Sequence, residues 1–195
     1  MPRVSEDHLN ARREQILVAA RACFMRKGVH NTTMQDLIQE AGLSVGAVYR
    51  YFRSKDEIIN AISETVAGSL VLRLHAVAED ETLSLIEAMG RVVDVIDEQA
   101  RPGGNFPMGL QVWSEATLDP GIGAIVRDRF HEMRALFTKL AERAVVRGEV
   151  AAGSDPDAVA AVLFALMPGY AVQVVLTGSP DKEAYLAGLR ALLVR

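Results

Sequence analysis

The sequence predicts an all-α protein of about nine helices, three of them in a compact N-terminal part and the rest in a longer helical remainder. Three observations lead there. Apolar residues recur at i, i+3, i+4 and i+7 over most of the chain, the spacing that gathers them on one helix face. No stretch alternates apolar and polar residues with β-branched enrichment, as a half-buried strand does. The breaks between periodic stretches carry glycine, proline or a hydroxyl or carboxylate cap, which are helix punctuation.

A first helix is expected over 8–27, with Ile16, Leu17, Ala20, Cys23 and Phe24 on one face and Arg12, Arg13, Arg21 and Arg26 mostly off it. Gly28 ends it. Thr32 and Thr33 are candidate starts for the second, with Gln35 or Asp36 three residues on and Met34, Leu37, Ile38 and Ala41 as its apolar stripe. Gly42 permits a tight turn, Ser44 can cap a third helix, and Val45, Val48 and Phe52 face inward from it. Ser54 then caps a long helix that opens on Asp56 and Glu57, acids favoured by the helix dipole, and runs through Ile58, Ile59, Ile62 and Val66 towards His75. Further on, the spacing predicts a helix to about Gln99, a loop at 101–104, and helices over 108–117, 121–147, 157–176 and 182–194. No internal repeat or low-complexity tract is visible.

At 195 residues and 50% hydrophobic composition the chain can bury a substantial core without staples. Its first ten residues carry Arg3, Glu6, Asp7 and His8 without an apolar run, so a cytoplasmic protein is expected. Cys23 is the one cysteine, and no cysteine or histidine cluster has metal-ligand spacing, which excludes an internal disulfide and predicts neither metal nor cofactor. The net charge of −4 hides an asymmetry: residues 1–55 hold nine Lys/Arg against five Asp/Glu, and the remainder twelve against twenty. A basic head on an acidic body suits phosphate contact, although a surplus of four is also within ordinary surface variation.

Capped helix, glycine turn and short helix over 33–52 is the helix-turn-helix arrangement, in which the second helix enters the major groove; a plain helical hairpin shares the spacing. The text around it is more specific: ILVAARACFMRKG at 16–28 and NTTMQDLIQEAGLSVGAVYRYFRSKDEIINAI at 31–62. It closely resembles the DNA-binding domain of the tetracycline-repressor (TetR) family over 10–70, about a third of the chain, through the glycine after helix one, the Thr-Thr pair, the Ala-Gly-Leu-Ser turn and Tyr-Arg-Tyr-Phe-x-Ser-Lys. The resemblance puts Thr33, Tyr51 and Lys55 at phosphate-clamping positions, where their ordinary roles would be a cap, a partly buried tyrosine and a solvated lysine. Gln35 matches a position near the groove and has the amide geometry for adenine, while Val45 and Ala47 can meet thymine methyls and Gly46 allows close approach. Ser44 belongs to the same DNA-facing set, and Tyr49 either faces the groove or packs on the head. The arm before helix one departs from basic-armed family members, since Arg3 is offset by Glu6 and Asp7.

Past residue 70 the resemblance weakens, and 71–195 is expected to form an effector-binding and dimerisation domain. Met89, Phe106, Met108, Trp113 and Phe130 supply half of its large adaptable groups. Met133, Phe137, Phe164, Met167 and Tyr170 supply most of the rest, and each residue of both sets is either pocket lining or plain core. Trp113 and Tyr170 are the better pocket candidates, with Glu115 as the nearby charge that can orient an apolar or amphipathic effector. Residues 158–180 carry no charge over 23 positions, a membrane-span length, but Pro168-Gly169, Gln173 and Thr177 interrupt them and no basic flank marks an inside end. The expectation is instead a helix buried between the body and a second copy, the last two helices closing a twofold dimer.

The resemblance thus implies a cytoplasmic homodimeric repressor that binds double-stranded operator DNA and answers a small-molecule effector; an activator or a Cys23-based redox sensor could use the same head. An enzyme lacks support: there is no glycine-rich phosphate loop or nucleophile elbow, and His8, His30, His75 and His131 are dispersed.

Overall fold

The computed structural model of the chain describes residues 6–193, with side chains from residue 8 onward, and among them it is all helix. The elements are α1 (Glu6–Lys27), α2 (Met34–Ala41), α3 (Val45–Tyr49), α4 (Lys55–Glu79), α5 (Leu85–Ala100), α6 (Phe106–Ala116), α7 (Pro120–Val146), α8 (Pro156–Thr177) and α9 (Lys182–Leu193). The arm residue Arg3 and the side chains of Glu6 and Asp7 lie outside the described residues. Two boundaries differ appreciably from expectation. The third helix closes at Tyr49, because Arg50 to Phe52 form a turn back onto Gly46 and Val48, and α4 continues a turn beyond His75 to Glu79.

The chain divides into two compact units: residues up to Val66 together with Met108–Val126, and Ala67–Pro107 together with the chain from Arg127 onward. The sequence places a division at 70 and assigns everything beyond it to the body; the first unit takes in α6 from Met108 onward and the start of α7 as well. The cause is packing. Ile16, Leu17, Ala20, Cys23 and Phe24 of α1 meet Leu37 and Ile38 of α2, Val48 of α3 and Ile58, Ile59 and Ile62 of α4, and that core is completed by Met108 and Val112 of α6 and Ile122 of α7. Sequence periodicity marks these last three as inward-facing without saying which core they enter.

In the second unit α5 is the central helix, with Leu85, Ala88, Met89, Val92, Val93 and Ile96 buried and α8 and α9 packed against it. Ser84 and Glu87 form a capping box at its start. Basic side chains of α7 hold the end of α4, where Arg143 donates to the Ala78 carbonyl at 2.9 Å and Lys139 pairs with Glu79, and Arg147, just past α7, donates to the Leu83 carbonyl in the turn after α4 at 2.9 Å. Cations at a helix C-terminus oppose its partial negative charge. Tyr170, fully buried, donates its hydroxyl to Asp97 at 2.7 Å, and Arg101 takes the other carboxylate oxygen at 2.6 Å. Burial pushes the Asp97 carboxyl up, but the bonds from Tyr170 and Arg101 outweigh it and leave the group below its usual range.

By length and composition α4 and α8 could each cross a membrane. Yet α8 places Ala160, Leu163, Met167, Tyr170 and Ala171 in the core of the second unit, the role of a core helix. Its opposite face is exposed, with Val162 62% and Leu176 72% accessible. The helix is therefore apolar all round but buried on one side only.

Candidate nucleic-acid interface

The α2 and α3 helices are short, and their caps hold them. Thr33 sits in extended backbone and forms a capping box with Asp36: the Thr33 hydroxyl accepts the Asp36 N–H, and the Thr33 N–H and hydroxyl both donate to the Asp36 carboxylate at 2.9 Å. Gly42, at φ 63°, closes α2 in the left-handed conformation that glycine adopts without strain. Ser44 then caps α3 by accepting the Ala47 N–H at 3.3 Å. Val48 points down into the core and is fully buried, which rotates its neighbours outward.

That rotation arranges much of the predicted set. Val45 is 52% and Tyr49 45% accessible, and Gln35, Ser44 and Gly46 are also exposed, with Ala47 half-buried beside them. A Cβ at Gly46 would meet nothing of the protein within 4 Å, so internal packing does not demand a glycine here. Tyr49 does not pack into the head, whereas half-buried Tyr51 lies against its core. Arg13 stacks over the Phe52 ring with its guanidinium carbon 5.4 Å from the centroid, a contact that fixes the far side of the same turn.

Two predicted contacts are less open than their sequence positions suggest. The Thr33 hydroxyl is already committed to Asp36, whereas the N–H groups of Met34 and Gln35 at the start of α2 have no intrahelical partner. The Lys55 ammonium donates to the Val29 carbonyl at 3.0 Å, which fixes its position and leaves further donors. Two of the head's cations are also paired within the protein, which leaves its net surplus of four unchanged but ties up those two side chains. Arg26 pairs with Glu40 at 2.5 Å and Lys27 with Asp36 at 2.6 Å, stapling α1 to α2.

The Lys27 and Thr33 bonds bring the Asp36 carboxyl down from 3.8 to about 2. Its folded value lies below the unfolded one, so the stability it contributes is complete above about pH 4 and is lost as pH falls through about 2. Replacing Asp36 with Asn is therefore expected to flatten the acid limb of a melting-temperature profile between those limits, and an unchanged limb would show that Asp36 contributes nothing there.

Three side chains outside the predicted DNA-facing set hold the loop between α1 and α2. Gln111 of α6 accepts the Val29 N–H at 3.1 Å, and Glu115, one turn on, lies 3.3 Å from the His30 imidazole. Thr32, 2% exposed, donates its hydroxyl to the Gly28 carbonyl at 2.7 Å. Glu115 is thus tied to the head, where the sequence reading had it orienting an effector. Gln111 and Val29 are 82 positions apart, and no local pattern reveals such a contact.

The predicted effector residues are also divided. Met108 lies in the first unit's core and Trp113 in the same unit. Met89, Phe137, Met167 and Tyr170 are buried in the second unit, with Phe106 and Phe164 packed against that core. Phe164 stacks edge-on against Phe130 at 5.3 Å and Phe137 at 5.6 Å, and Met133 is half-buried on the same helix as Phe130. Cys23 is fully buried, and burial pushes its thiol pKa up, away from the reactive thiolate.

Known proteins share this fold. Residues 16–62 match the model of bacterial regulatory proteins of the tetR family, and residues 94–195, just over half the chain, match that of the BetI-type transcriptional repressor C-terminal domain. The HTH-type transcriptional repressor Rv1474c of Mycobacterium tuberculosis is 32% identical over 185 residues, covering 84% of this chain and 95% of that protein. A transcriptional regulator of Saccharomonospora viridis, solved in complex with choline, superposes with a TM-score of 0.73 at 26% identity over 94% of this chain and 95% of its own. SmeT of Stenotrophomonas maltophilia, solved with triclosan, superposes with a TM-score of 0.76 at 23% identity, over 95% of this chain and 92% of its own.

Proposed function

The chain belongs to the tetracycline-repressor family of bacterial transcriptional regulators, and we propose that it is a cytoplasmic repressor that binds a palindromic operator as a twofold dimer and is released by a small apolar or amphipathic effector. The family is one of DNA-binding regulators and not of enzymes. The observation that carries the reading is the outward face of α2 and α3, where Gln35, Val45, Gly46 and Tyr49 stand exposed on a segment held by two side-chain caps. Nothing inside the protein requires large apolar groups such as Val45 and Tyr49 to face water, whereas a major groove offers thymine methyls and sugar edges to them.

In this reading the N–H groups at the start of α2, the Tyr51 hydroxyl and the Lys55 ammonium position the head on phosphates, and Gln35, Val45, Ala47 and Tyr49 read bases. The last two helices close the dimer, and a ligand that favours a different separation of the two heads lowers operator affinity. The Phe130, Met133 and Phe164 side chains, which keep part of their surface accessible, are the proposed effector contacts; Met89, Phe137, Met167 and Tyr170 serve as core. The choline and triclosan complexes of the two structural neighbours support an effector of that small size.

Fluorescence anisotropy with a labelled duplex from immediately upstream of the coding sequence tests the division of roles. Lys55→Met is expected to weaken every sequence alike and to reduce the salt slope by about one per head. Gln35→Ala is expected to narrow the gap between operator and scrambled duplex by about 1–3 kcal/mol per head. An unchanged salt slope in the first variant, or unchanged discrimination in the second, contradicts the assignment.

A further inference from the structure

We infer that Gln111 of α6 is a positioning residue for DNA binding, acting through Val29 on the ammonium of Lys55. The inference rests on the reading of Lys55 as a phosphate contact. The two bonds meet on one residue: Gln111 Oε1 accepts the Val29 N–H at 3.1 Å, and the Val29 carbonyl accepts the Lys55 Nζ at 3.0 Å. Val29 is 1% exposed: its N–H relies on the Gln111 acceptor, and its carbonyl, which also accepts the Thr32 N–H at 3.4 Å, is held in the direction that meets Lys55.

The loop between them has little freedom elsewhere. Gly28 enters it at φ 85°, Thr32 ties its hydroxyl to the Gly28 carbonyl at 2.7 Å, and Asn31 donates to the Lys27 carbonyl at 3.3 Å. Glu115 holds His30 from the same helix as Gln111. With its carbonyl so oriented, Val29 selects one place for a flexible four-carbon side chain whose ammonium would otherwise sample many. A lysine held where phosphate will arrive gives up less rotamer entropy on binding. Without the Gln111 acceptor, the Val29 N–H is left buried and unpaired, the Gly28–Val29 peptide shifts to find a partner, and that shift passes through the Val29 backbone angles to the carbonyl that holds the ammonium.

A double-mutant cycle tests this link. Gln111→Met keeps the side-chain length and removes the acceptor, and Lys55→Met keeps the stem and removes the charge. Binding of the full-length chain to the upstream duplex is measured across a salt series, with the melting temperature as the folding control. Gln111→Met is expected to weaken binding about two- to tenfold, the range of one hydrogen bond, and to lower the salt slope part of the way towards that of Lys55→Met. The loss is expected to vanish when Lys55 is already Met. An equal loss in both backgrounds, or no loss in either, overturns the inference while leaving the phosphate contact standing. If Lys55→Met itself changes neither affinity nor slope, the phosphate reading fails and the inference falls with it. Should Gln111→Met melt below the assay temperature, Gln111→Asn, whose shorter amide stays polar but withdraws the acceptor, takes its place in the same cycle.

Discussion

A chain carrying Val162→Glu and Leu192→Glu is expected to sediment as a monomer and to lose operator affinity by about two to four orders of magnitude, the range that bivalency supplies. The two residues are 62% and 80% accessible on α8 and α9. Around them the exposed surface is small and mostly apolar, with Gln173 the polar residue on the α8 line. Ala158, Val162, Ala165, Gly169 and Leu176 follow one line along α8, and Ala184, Ala187, Gly188, Ala191 and Leu192 another along α9. Alanine and glycine let helices approach closely, and such a face has no reason to be apolar if it stays in water.

A glutamate carboxylate buried in that contact without a partner costs more than the contact can return. Because both side chains are exposed in the protomer, folding survives: the melting temperature at high dilution should be little changed. Leu118→Glu, at a residue 74% exposed outside these helices, serves as the control and should remain a dimer. The monomer presents one head, so its salt slope should fall to about half that of the dimer. A double variant that still sediments as a dimer would place the interface elsewhere.

The second large effect concerns where the DNA-binding head ends. A fragment of residues 1–70, which contains the 10–70 domain that the sequence alone delimits, is expected to show helical circular dichroism without a cooperative melt, and to bind the upstream duplex only weakly. It lacks Met108, Val112 and Ile122, which the full chain buries to 7%, 8% and 1% accessibility in the head's core. Each such side chain contributes about 1.5–3 kcal/mol on burial, so about 5–9 kcal/mol is removed. A core of that size in so short a chain supplies only about 3–5 kcal/mol of net stability. In the full chain, Ile122→Ala is expected to cost about 2–5 kcal/mol. A fragment melting as sharply as the intact protein would show that α6 and α7 only lean on a self-sufficient head.

Helices were the most legible part of the sequence, because their signals are local. Ser44 and Thr33 cap where their spacing from the apolar stripes says they should, and the loop at 101–104 separates α5 from α6. The short third helix was less legible: Val45, Val48 and Phe52 have helical spacing, yet regular helix ends at Tyr49. At the candidate interface, residue identity located Gln35, Val45, Gly46 and Tyr49, and the structure adds their exposure.

Partners were what the sequence could not show. Nothing local says that the Thr33 hydroxyl is spent on Asp36, that Arg26 and Lys27 face acids of α2, or that Gln111 reaches back to Val29. The pocket reading was weakest for the same reason. Large apolar residues at helical spacing mark an inward face, and Met108 and Phe130 carry the same local signal while packing in different units.

The most direct test of the whole account is a DNase footprint of the full-length protein on the DNA upstream of its own coding sequence. The account predicts protection of an inverted repeat whose half-sites lie about one helical turn apart, about 10–10.5 base pairs centre to centre or a multiple of it, with both halves lost together in Val162→Glu/Leu192→Glu. Protection of a single unrepeated site, or protection that the monomeric variant retains at the same concentration, would contradict it.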